Sequence, residues 1–460
     1  MPESPRRFVI SCGVMAVAAA VLAPAGAAAG APPAVFWVSA DGSAAHANAS
    51  CQTAGYSSVQ SAVNAAESYE SSHPGAVPAV EVCPGTYSEQ VTILKGLTVS
   101  RAPVPGSQGA AVIQLPSSVG SNQSTGLSST NCQAKDAANS IQVPQSVVEI
   151  CAASNGGTNT TGVKVTVSDL TVEGNWPNSV CYDSLYGILV GGGASLTLTG
   201  STVEKAGAYP LNGCQGGVGI QAGRNVIGQI GHVTLSRDTI ETYQKNGVTV
   251  DGPGSTADIS HVVVTGAGPT DQGAQNGIQL SRGAAGRVTD SSVSGNNYTG
   301  ANNASSGGIL VYGGCGSPLV QHVHVNQNSL TGNDVGIYLS NSDPTCTTSP
   351  ATRTDNEACF NVIENSHGYA DGHASADANA TGWSGTPAVG FQAGVSDVGN
   401  HDEICGNAIG GAGYAPLGAT SSLPHPPAPA FARPVDIVTG PAIDPLTFGN
   451  TFDGRPYHPA

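Results

Sequence analysis

The chain has few charged residues, and few of these are basic. Only 10% of its 460 residues are charged, and 15 lysines and arginines stand against 31 aspartates and glutamates, which gives a formal net charge of −16. Nucleic-acid binding depends on neutralising phosphates, so this composition argues against nucleic acid as a partner. The same acidic field disfavours a polyanionic polysaccharide and favours a neutral or partly esterified one.

Long apolar runs are scarce as well. The one clear case, residues 8–22, follows Arg6-Arg7 and precedes the small residues around Ala25-Gly26-Ala27, which is the pattern of a secretory signal peptide. We therefore expect residues 1–29 to be removed and the mature protein to be secreted. No later run in the sequence reaches the length that a membrane span needs, so we predict none.

Helical periodicity is missing from the middle of the sequence, which argues against helical and leucine-rich repeats. In its place, a short glycine-centred phrase such as Tyr186-Gly187-Ile188-Leu189-Val190 returns six times, at separations of 28 to 32 residues by subtraction of the glycine numbers. Two further extended runs follow each phrase, and for the fifth phrase we place them at 318–320 and 323–325. The six glycines of the phrase are Gly187, Gly219, Gly247, Gly277, Gly308 and Gly336.

Three strands per repeat of this length predict an all-β chain that forms a parallel β-helix. The pattern resembles the single-stranded, right-handed solenoids of the pectate-lyase-like superfamily. We predict a single domain over residues 30–415, with long loops near 120–139 and 366–399. Residues 416–460 are predicted to be a proline-rich tail, with a last coil turn near its end.

One helical stretch does occur, near the start of the domain. Residues 57–71 place apolar side chains on one helical face, and Ser57 with Gln60 reads as a capping box. A solenoid exposes strand edges at its ends, so we predict that this helix is an N-terminal cap.

A resemblance to a known family begins at the same helix. Its Ser-Val-Gln-x-Ala-Val-x-Ala-Ala pattern and the following Pro84-Gly85-Thr86-Tyr87, with Glu89 two residues later, resemble the opening segment of pectinesterase-like β-helix proteins. The resemblance covers residues 56–99 and implies the fold and a relation to polysaccharides. The catalytic motifs of pectinesterases, pectate lyases and polygalacturonases do not occur in the sequence, so no catalytic set carries over. We expect Glu89 to be structural.

The cysteines also suit export. Eleven are present, and removal of Cys12 with the leader leaves ten, an even number that suits disulfide pairing in an oxidising compartment. Proximity predicts the pairs Cys51–Cys83, Cys132–Cys151 and Cys181–Cys214. The pairing of the other four stays open: Cys315, Cys346, Cys359 and Cys405.

Aligning the six glycines places residues of successive coils above one another, about 4.8 Å apart. Arg224, Asp251 and Arg282 then fall on three consecutive coils, and we predict them as a candidate catalytic set. Asp251 would be the base or nucleophile, and either arginine would stabilise developing negative charge. Planar amides, hydroxyls and aromatic rings beside them would bind a sugar chain. The predicted binding residues are Gln221, Thr249, Gln279, Tyr312, Tyr338, Lys245 and Asp271.

Two functions remain open from the sequence. The first is a carbohydrate-active lyase, hydrolase or esterase acting on extracellular polysaccharide. The second is a non-catalytic binding or structural protein. No cysteine pair has zinc-type spacing, and His322 with His324 lack a third ligand, so we predict no metal site, while calcium is left open without a specific motif. We expect a monomer.

Overall fold

The structure is a computed structural model. All of its described residues belong to the compact unit Pro33–Ala460. None of the helices among them is long and apolar enough to cross a membrane. The described residues are 34–106, 108–117, 132, 145–152, 159, 162–177, 181, 184–299, 306–346, 348–366, 393–411, 414, 435–438 and 445–456. The predicted signal peptide lies outside these residues, as does the predicted loop 120–139 apart from Cys132.

Three long sheets, parallel except for the last pair β35–β36, form most of the described part of the chain, and successive strands pass from one sheet to the next. Sheet A contains β1 (Val35–Val38), β2 (Ala79–Val82), β5 (Leu97–Arg101), β8 (Lys164–Ser168), β12 (Ala194–Thr199), β16 (Gly231–Ser236), β19 (Thr256–Ser260), β22 (Ala285–Thr289), β25 (His324–Asn326), β28 (Glu357–Cys359), β31 (Glu403–Cys405) and β34 (Leu446–Phe448). Sheet B contains β3 (Gly85–Ser88), β6 (Ala111–Gln114), β9 (Thr171–Glu173), β13 (Thr202–Glu204), β17 (Thr239–Glu241), β20 (Val263–Thr270), β23 (Ser292–Tyr298), β26 (Ser329–Thr331), β29 (Val362–Glu364), β32 (Ala408–Gly410), β35 (Thr451–Phe452) and β36 (Arg455–Pro456).

Sheet C completes each coil. It contains β4 (Val91–Ile93), β7 (Gln145–Cys151), β11 (Leu185–Gly191), β15 (Val218–Ala222), β18 (Asn246–Asp251), β21 (Asn276–Ser281), β24 (Gly307–Gly313), β27 (Val335–Asn341), β30 (Ala393–Asp397) and β33 (Val435–Val438). A small parallel pair, β10 (Trp176–Pro177) and β14 (Ala208–Tyr209), lies apart from the three sheets. The predicted parallel β-helix is confirmed, and crossovers between parallel strands take a right-handed course in nearly all proteins.

The interior explains the repeated glycine. Alternate side chains of each strand point inward and form one core of valine, isoleucine and leucine ladders. A Cβ on Gly187 would lie 2.6 Å from the carbonyl oxygen of Gly219 and 2.7 Å from Cγ1 of Val203. The other five glycines of the phrase meet the same two obstacles, the next coil's carbonyl and a branched side chain of sheet B. The glycine therefore allows sheet C to approach sheet B closely at this corner.

An asparagine ladder fills the turn between sheets A and B. In each of the last coils, an asparagine Oδ1 accepts from the backbone N–H of the preceding coil, at 2.9 to 3.1 Å. The Nδ2 groups donate to carbonyl oxygens of the sheet A strand in the preceding coil, so the amides satisfy backbone groups next to the turn. The ladder consists of Asn328, Asn361, Asn407 and Asn450.

The helix α1 (Val59–Ser72) packs against β1, β2 and β4. Its N-cap is Ser58, one residue after the predicted Ser57, and the Ser58 side chain accepts from Ser61 N. Glu89 accepts from Val59 N at 2.7 Å and from Gln60 N at 2.9 Å, so the structural role expected for Glu89 is confirmed. That α1 closes the open end of the solenoid stays a prediction.

The five disulfides include all three predicted pairs. The four cysteines left open pair as Cys315–Cys346 and Cys359–Cys405. In the second pair, the two residues are direct neighbours on adjacent strands of sheet A. Both of these pairs join successive coils.

The strands differ from the sequence prediction in three places. Strand β30 lies inside the segment 366–399 that we predicted as a loop, and it pairs with β27. Strand β33 lies in the predicted tail and pairs with β30. In the fifth repeat, the strands are β25 and β26, and the predicted runs 318–320 and 323–325 precede or only overlap them, because the turn after β24 is longer than in earlier coils.

Candidate functional site

The outer wall of sheet C carries the predicted site. Strand pairing places Leu189, Gln221, Thr249, Gln279, Leu310 and Tyr338 side by side in this order. The alignment derived from the glycines is therefore confirmed for this column. After this column, Arg282 is not level with Asp251. Asp251 pairs with Ser281, and Arg282 is the next residue, in the turn.

Asp251 and Arg282 nevertheless form a two-pronged ion pair. Arg282 Nε donates to Asp251 Oδ1 at 2.7 Å, and Nη2 donates to Oδ2 at 2.8 Å. Asp251 also accepts from Ser281 Oγ at 3.0 Å and from Asn225 N at 2.8 Å. With 2% of its surface exposed, Asp251 is a buried carboxylate whose two oxygens each accept two hydrogen bonds.

Arg282 is the accessible member of the pair, with 31% of its side chain exposed. Burial lowers the pKa of the guanidinium, but the hydrogen bonds and charge of Asp251 outweigh burial and raise it overall. Tyr312 lies beside it, and Arg282 N donates to Tyr312 O at 2.8 Å. Burial raises the pKa of the Tyr312 phenol, and the nearby Arg282 charge opposes that rise. Both groups keep their ordinary charge near neutral pH.

Arg224 lies in the turn after β15, next to Asn225. Its side chain is buried, and Nη1 donates to the carbonyl oxygen of Cys132 at 3.3 Å. This contact ties the turn to the segment held by the Cys132–Cys151 disulfide. Arg224 therefore lies in the turn whose Asn225 N–H binds Asp251. Its own side chain is buried.

The predicted binding residues divide by exposure. Gln221 and Thr249 are buried: Gln221 donates to Gly223 O at 2.6 Å, and Thr249 accepts from Asn246 Nδ2 at 2.9 Å. Gln279 and Tyr338 are half-buried, and Leu310 on the coil between them separates the two. Burial raises the pKa of Tyr338, so its hydroxyl stays protonated.

The two remaining predicted residues, Lys245 and Asp271, lie before strands β18 and β21, and Arg282 follows the other end of β21. Lys245 Nζ donates to Ala274 O at 2.7 Å, and burial lowers the pKa of this amine. Asp271 is exposed and accepts from Gln272 Nε2 at 2.8 Å.

Sequence reasoning missed a buried carboxyl pair at the C-terminal end of sheet C. Asp397 and Asp402 are both 0% exposed. Burial raises the pKa of each, and the charge of Asp402 raises that of Asp397 further. Asp402 accepts from Thr354 Oγ1 at 2.6 Å and from Asn356 N at 2.7 Å. The only sequence signal was the weak repeat phrase at β30.

Two groups of cysteine and glutamate atoms converge closely enough to suggest a metal. They are Cys132, Glu149 and Cys151, and Glu357, Cys359 and Cys405. All four cysteines are in disulfides, so neither group offers the thiolate that a metal would need. His322 and His324 are exposed, and His324 lies on β25 with its side chain facing solvent. His322 lies outside the strand, in the bend before β25, with φ 56°.

The three sheets and their short turns define the class of protein as a parallel β-helix. No protein-family model matches the chain, and no curated protein matches it. Solved structures of similar fold include XylC in complex with xylose, with a TM-score of 0.44 and 10% identity over 82% of this chain and 69% of that one. They also include the pectate lyase Pel9A, with a TM-score of 0.33, 11% identity and coverages of 83% and 64%.

A third is the DFA-IIIase from Arthrobacter chlorophenolicus A6 without its lid, with a TM-score of 0.37, 12% identity and coverages of 92% and 99%. The chain spans about two thirds of the first two chains. At these scores and identities, the likeness concerns the fold alone.

Proposed function

We propose that this is a secreted β-helix protein that binds an extended, neutral or partly esterified polysaccharide along sheet C. The observation that carries the proposal is the Asp251–Arg282 pair. A buried carboxylate fixes the guanidinium at the surface of the wall. A side chain already held in one orientation loses less entropy when it binds a ligand.

The free edge of Arg282 faces the proposed ligand. Its Nε and Nη2 bond to Asp251, and Nη1 has no partner among the residues that the structure describes. A planar guanidinium can donate two bonds to neighbouring hydroxyl or ester oxygens. Arg282 is therefore the proposed anchor of the chain.

The neighbouring coils supply the rest of the proposed surface. Gln279, Leu310 and Tyr338 lie on successive strands, and Tyr312 lies beside Arg282. An amide suits sugar hydroxyls, and tyrosine rings suit the apolar faces of sugars. Two strand spacings cover about 10 Å, which is room for about two sugar units.

The disulfides support secretion, and the net charge of the chain supports a ligand without negative charge. Five disulfides suit an oxidising compartment outside the cytoplasm. The net charge of −16 repels polyanions at a distance, so neutral or esterified chains are favoured. A monomer suffices for this function.

Catalysis by the same residues is the second candidate, favoured by the contact between Asp251 and an arginine. Asp251 would act as base or nucleophile, with Arg282 or Arg224 stabilising negative charge. All four hydrogen-bonding positions of Asp251 are engaged, so it would have to release Arg282 or Ser281 to take a proton. The geometry therefore favours binding over catalysis.

The test of binding is affinity electrophoresis in gels that contain xylan, hydroxyethylcellulose or methyl-esterified pectin. We expect Arg282→Gln to weaken retardation about tenfold, since a hydrogen bond to a charged group is lost. Arg237→Gln is the matched control, because Arg237 is exposed and shares the left-handed backbone, with φ 57° against 51° for Arg282. Equal retardation of the two variants would contradict the proposal.

The test of catalysis uses the same polysaccharides in solution. Reducing ends, released methanol or acetate, and unsaturated products are measured for the wild-type protein and for Asp251→Asn. A signal that Asp251→Asn abolishes while the protein stays folded would favour catalysis. Absence of every product, together with retardation in the gels, would leave binding as the function.

A further inference from the structure

The outer face of sheet A contains a groove that no prediction used. Its volume is about 460 Å³, and it crosses five consecutive strands, β12, β16, β19, β22 and β25. Arg282 lies in the turn at the end of a sheet C strand, whereas the groove lies on sheet A. Its side chains are Ser195, Thr197, His232, Thr234, Thr256, Asp258, Arg287, His322 and His324.

Strand register sets these groups in columns. Thr197, Thr234, Asp258, Arg287 and His324 are direct neighbours from one strand to the next. A second column runs alongside through Ser195, His232 and Thr256. Four strand spacings give a groove about 19 Å long, lined by one polar group every 4.8 Å or so.

The groove presents polar groups that the protein does not satisfy. The hydroxyls of Ser195, Thr197 and Thr234 have no side-chain hydrogen bond among the described residues. His232 uses Nδ1 for Thr256 Oγ1 at 2.8 Å, and His324 uses Nδ1 for Glu357 at 2.7 Å, which leaves Nε2 of both rings. This contrasts with sheet C, where the polar groups around Asp251 bond mainly to one another.

The charges in the groove largely cancel. Arg287 bonds Asp258 through Nε and Nη2, both at 2.8 Å, and this pair is exposed. Phenylalanine, tyrosine and tryptophan are missing from the described lining, so a ligand would be held mainly by hydrogen bonds. Hydroxyls and imidazoles can both donate and accept, which suits a ligand that itself carries many hydroxyls.

We propose that the sheet A groove binds a neutral, hydroxyl-rich linear glycan, with Thr197 and Thr234 among its contacts. The repeat of the columns suits a ligand with a regular repeat along its length. This inference goes beyond the function proposed for sheet C, because it adds a second face. One molecule could then hold two glycan chains at once.

The test replaces Thr197 and Thr234 together by alanine. The matched control replaces Thr202 and Thr239, which lie on the same two coils but on sheet B, outside the groove. Both doubles remove two threonine hydroxyls from the outer surface, so they should fold alike. In gels with xylan or hydroxyethylcellulose, we expect the groove double to be retarded less than the wild type, with the remaining retardation due to sheet C. In the Arg282→Gln background the groove double should bind about tenfold more weakly than Arg282→Gln alone, since two hydrogen bonds are lost. The control double should match the wild type.

The measurement is repeated in an Arg282→Gln background, which separates the two faces. If sheet C does not bind glycan, the groove variants still show their effect and the control does not. The inference is overturned if both doubles behave alike, if Arg282→Gln alone abolishes all retardation, or if neither neutral gel retards the wild-type protein. Retardation by polygalacturonate alone would also overturn it, because the proposed ligand is neutral.

Discussion

Asn361 offers the sharpest test of how the coils are held together. Its Oδ1 accepts from Asn328 N at 2.9 Å and from Asn328 Nδ2 at 3.1 Å. Its Nδ2 donates to Val325 O at 2.8 Å and to Asn407 Oδ1 at 2.9 Å. The side chain is 0% exposed. Asn361→Ala removes four buried bonds and leaves the N–H of Asn328 without its acceptor.

The expected cost follows from those bonds. A stranded buried N–H costs about 1–3 kcal/mol, and each of the three further lost bonds about 1 kcal/mol, so we expect a loss of at least about 4 kcal/mol. The assay is equilibrium unfolding in guanidinium chloride, followed by circular dichroism. Ser329→Ala is the control, because Ser329 is exposed and close in sequence, and we expect a change within about 0.5 kcal/mol. A loss for Asn361→Ala that equals the control would refute this account of the ladder.

Two further predictions concern stability. Gly277→Ala should lower the free energy of unfolding by about 1–3 kcal/mol in the same assay, because its Cβ would lie 2.6 Å from Gly308 O and would clash with Val293. Gly273→Ala is the control and should leave stability unchanged, because a Cβ on Gly273 would have no atom within 4 Å. Burial raises the pKa of Asp238 to about 6 from 3.8, so its folded form binds the proton more tightly and stability is lost as pH rises through that range. The melting temperature should therefore fall between pH 4 and 7, and Asp238→Asn should reduce the fall. A melting temperature that rises over this range, or a fall that Asp238→Asn leaves unchanged, would contradict the pKa assignment.

The sequence predicted the coil because its repeat has a steric cause. Gly187 and its equivalents recur where a Cβ would meet the next coil and sheet B, and this requirement keeps the phrase recognisable. The outward column from Gln221 to Tyr338 follows from strand alternation alone, so the glycine alignment predicted it correctly.

Where turns change length, the sequence could not give the register. The turn after β24 delays β25, and residues 365–392 separate β29 from β30. Nothing in local periodicity says how far a strand is displaced by such insertions. The same limit applies at Asp251, where pattern placed Arg282 close by but could not show that Ser281 and Asn225 N would fill the remaining acceptor positions.

The groove on sheet A could have been found from the sequence. Ser195-Leu196-Thr197 and His232-Val233-Thr234 alternate polar and apolar residues at equal offsets, which places their polar groups on one outer face. Columns of outward residues on all three sheets carry this information. Only the concavity of the face needed the structure.

The central claim is that a polysaccharide lies over Arg282 on sheet C. Carbene footprinting with and without the neutral polysaccharide that retards the protein most in gels tests it directly. We expect reduced labelling of the half-exposed side chains of Arg282, Tyr312 and Tyr338, and unchanged labelling of Arg237 on its exposed turn. Unchanged labelling of Arg282 and Tyr312 in the presence of saturating polysaccharide would contradict the claim.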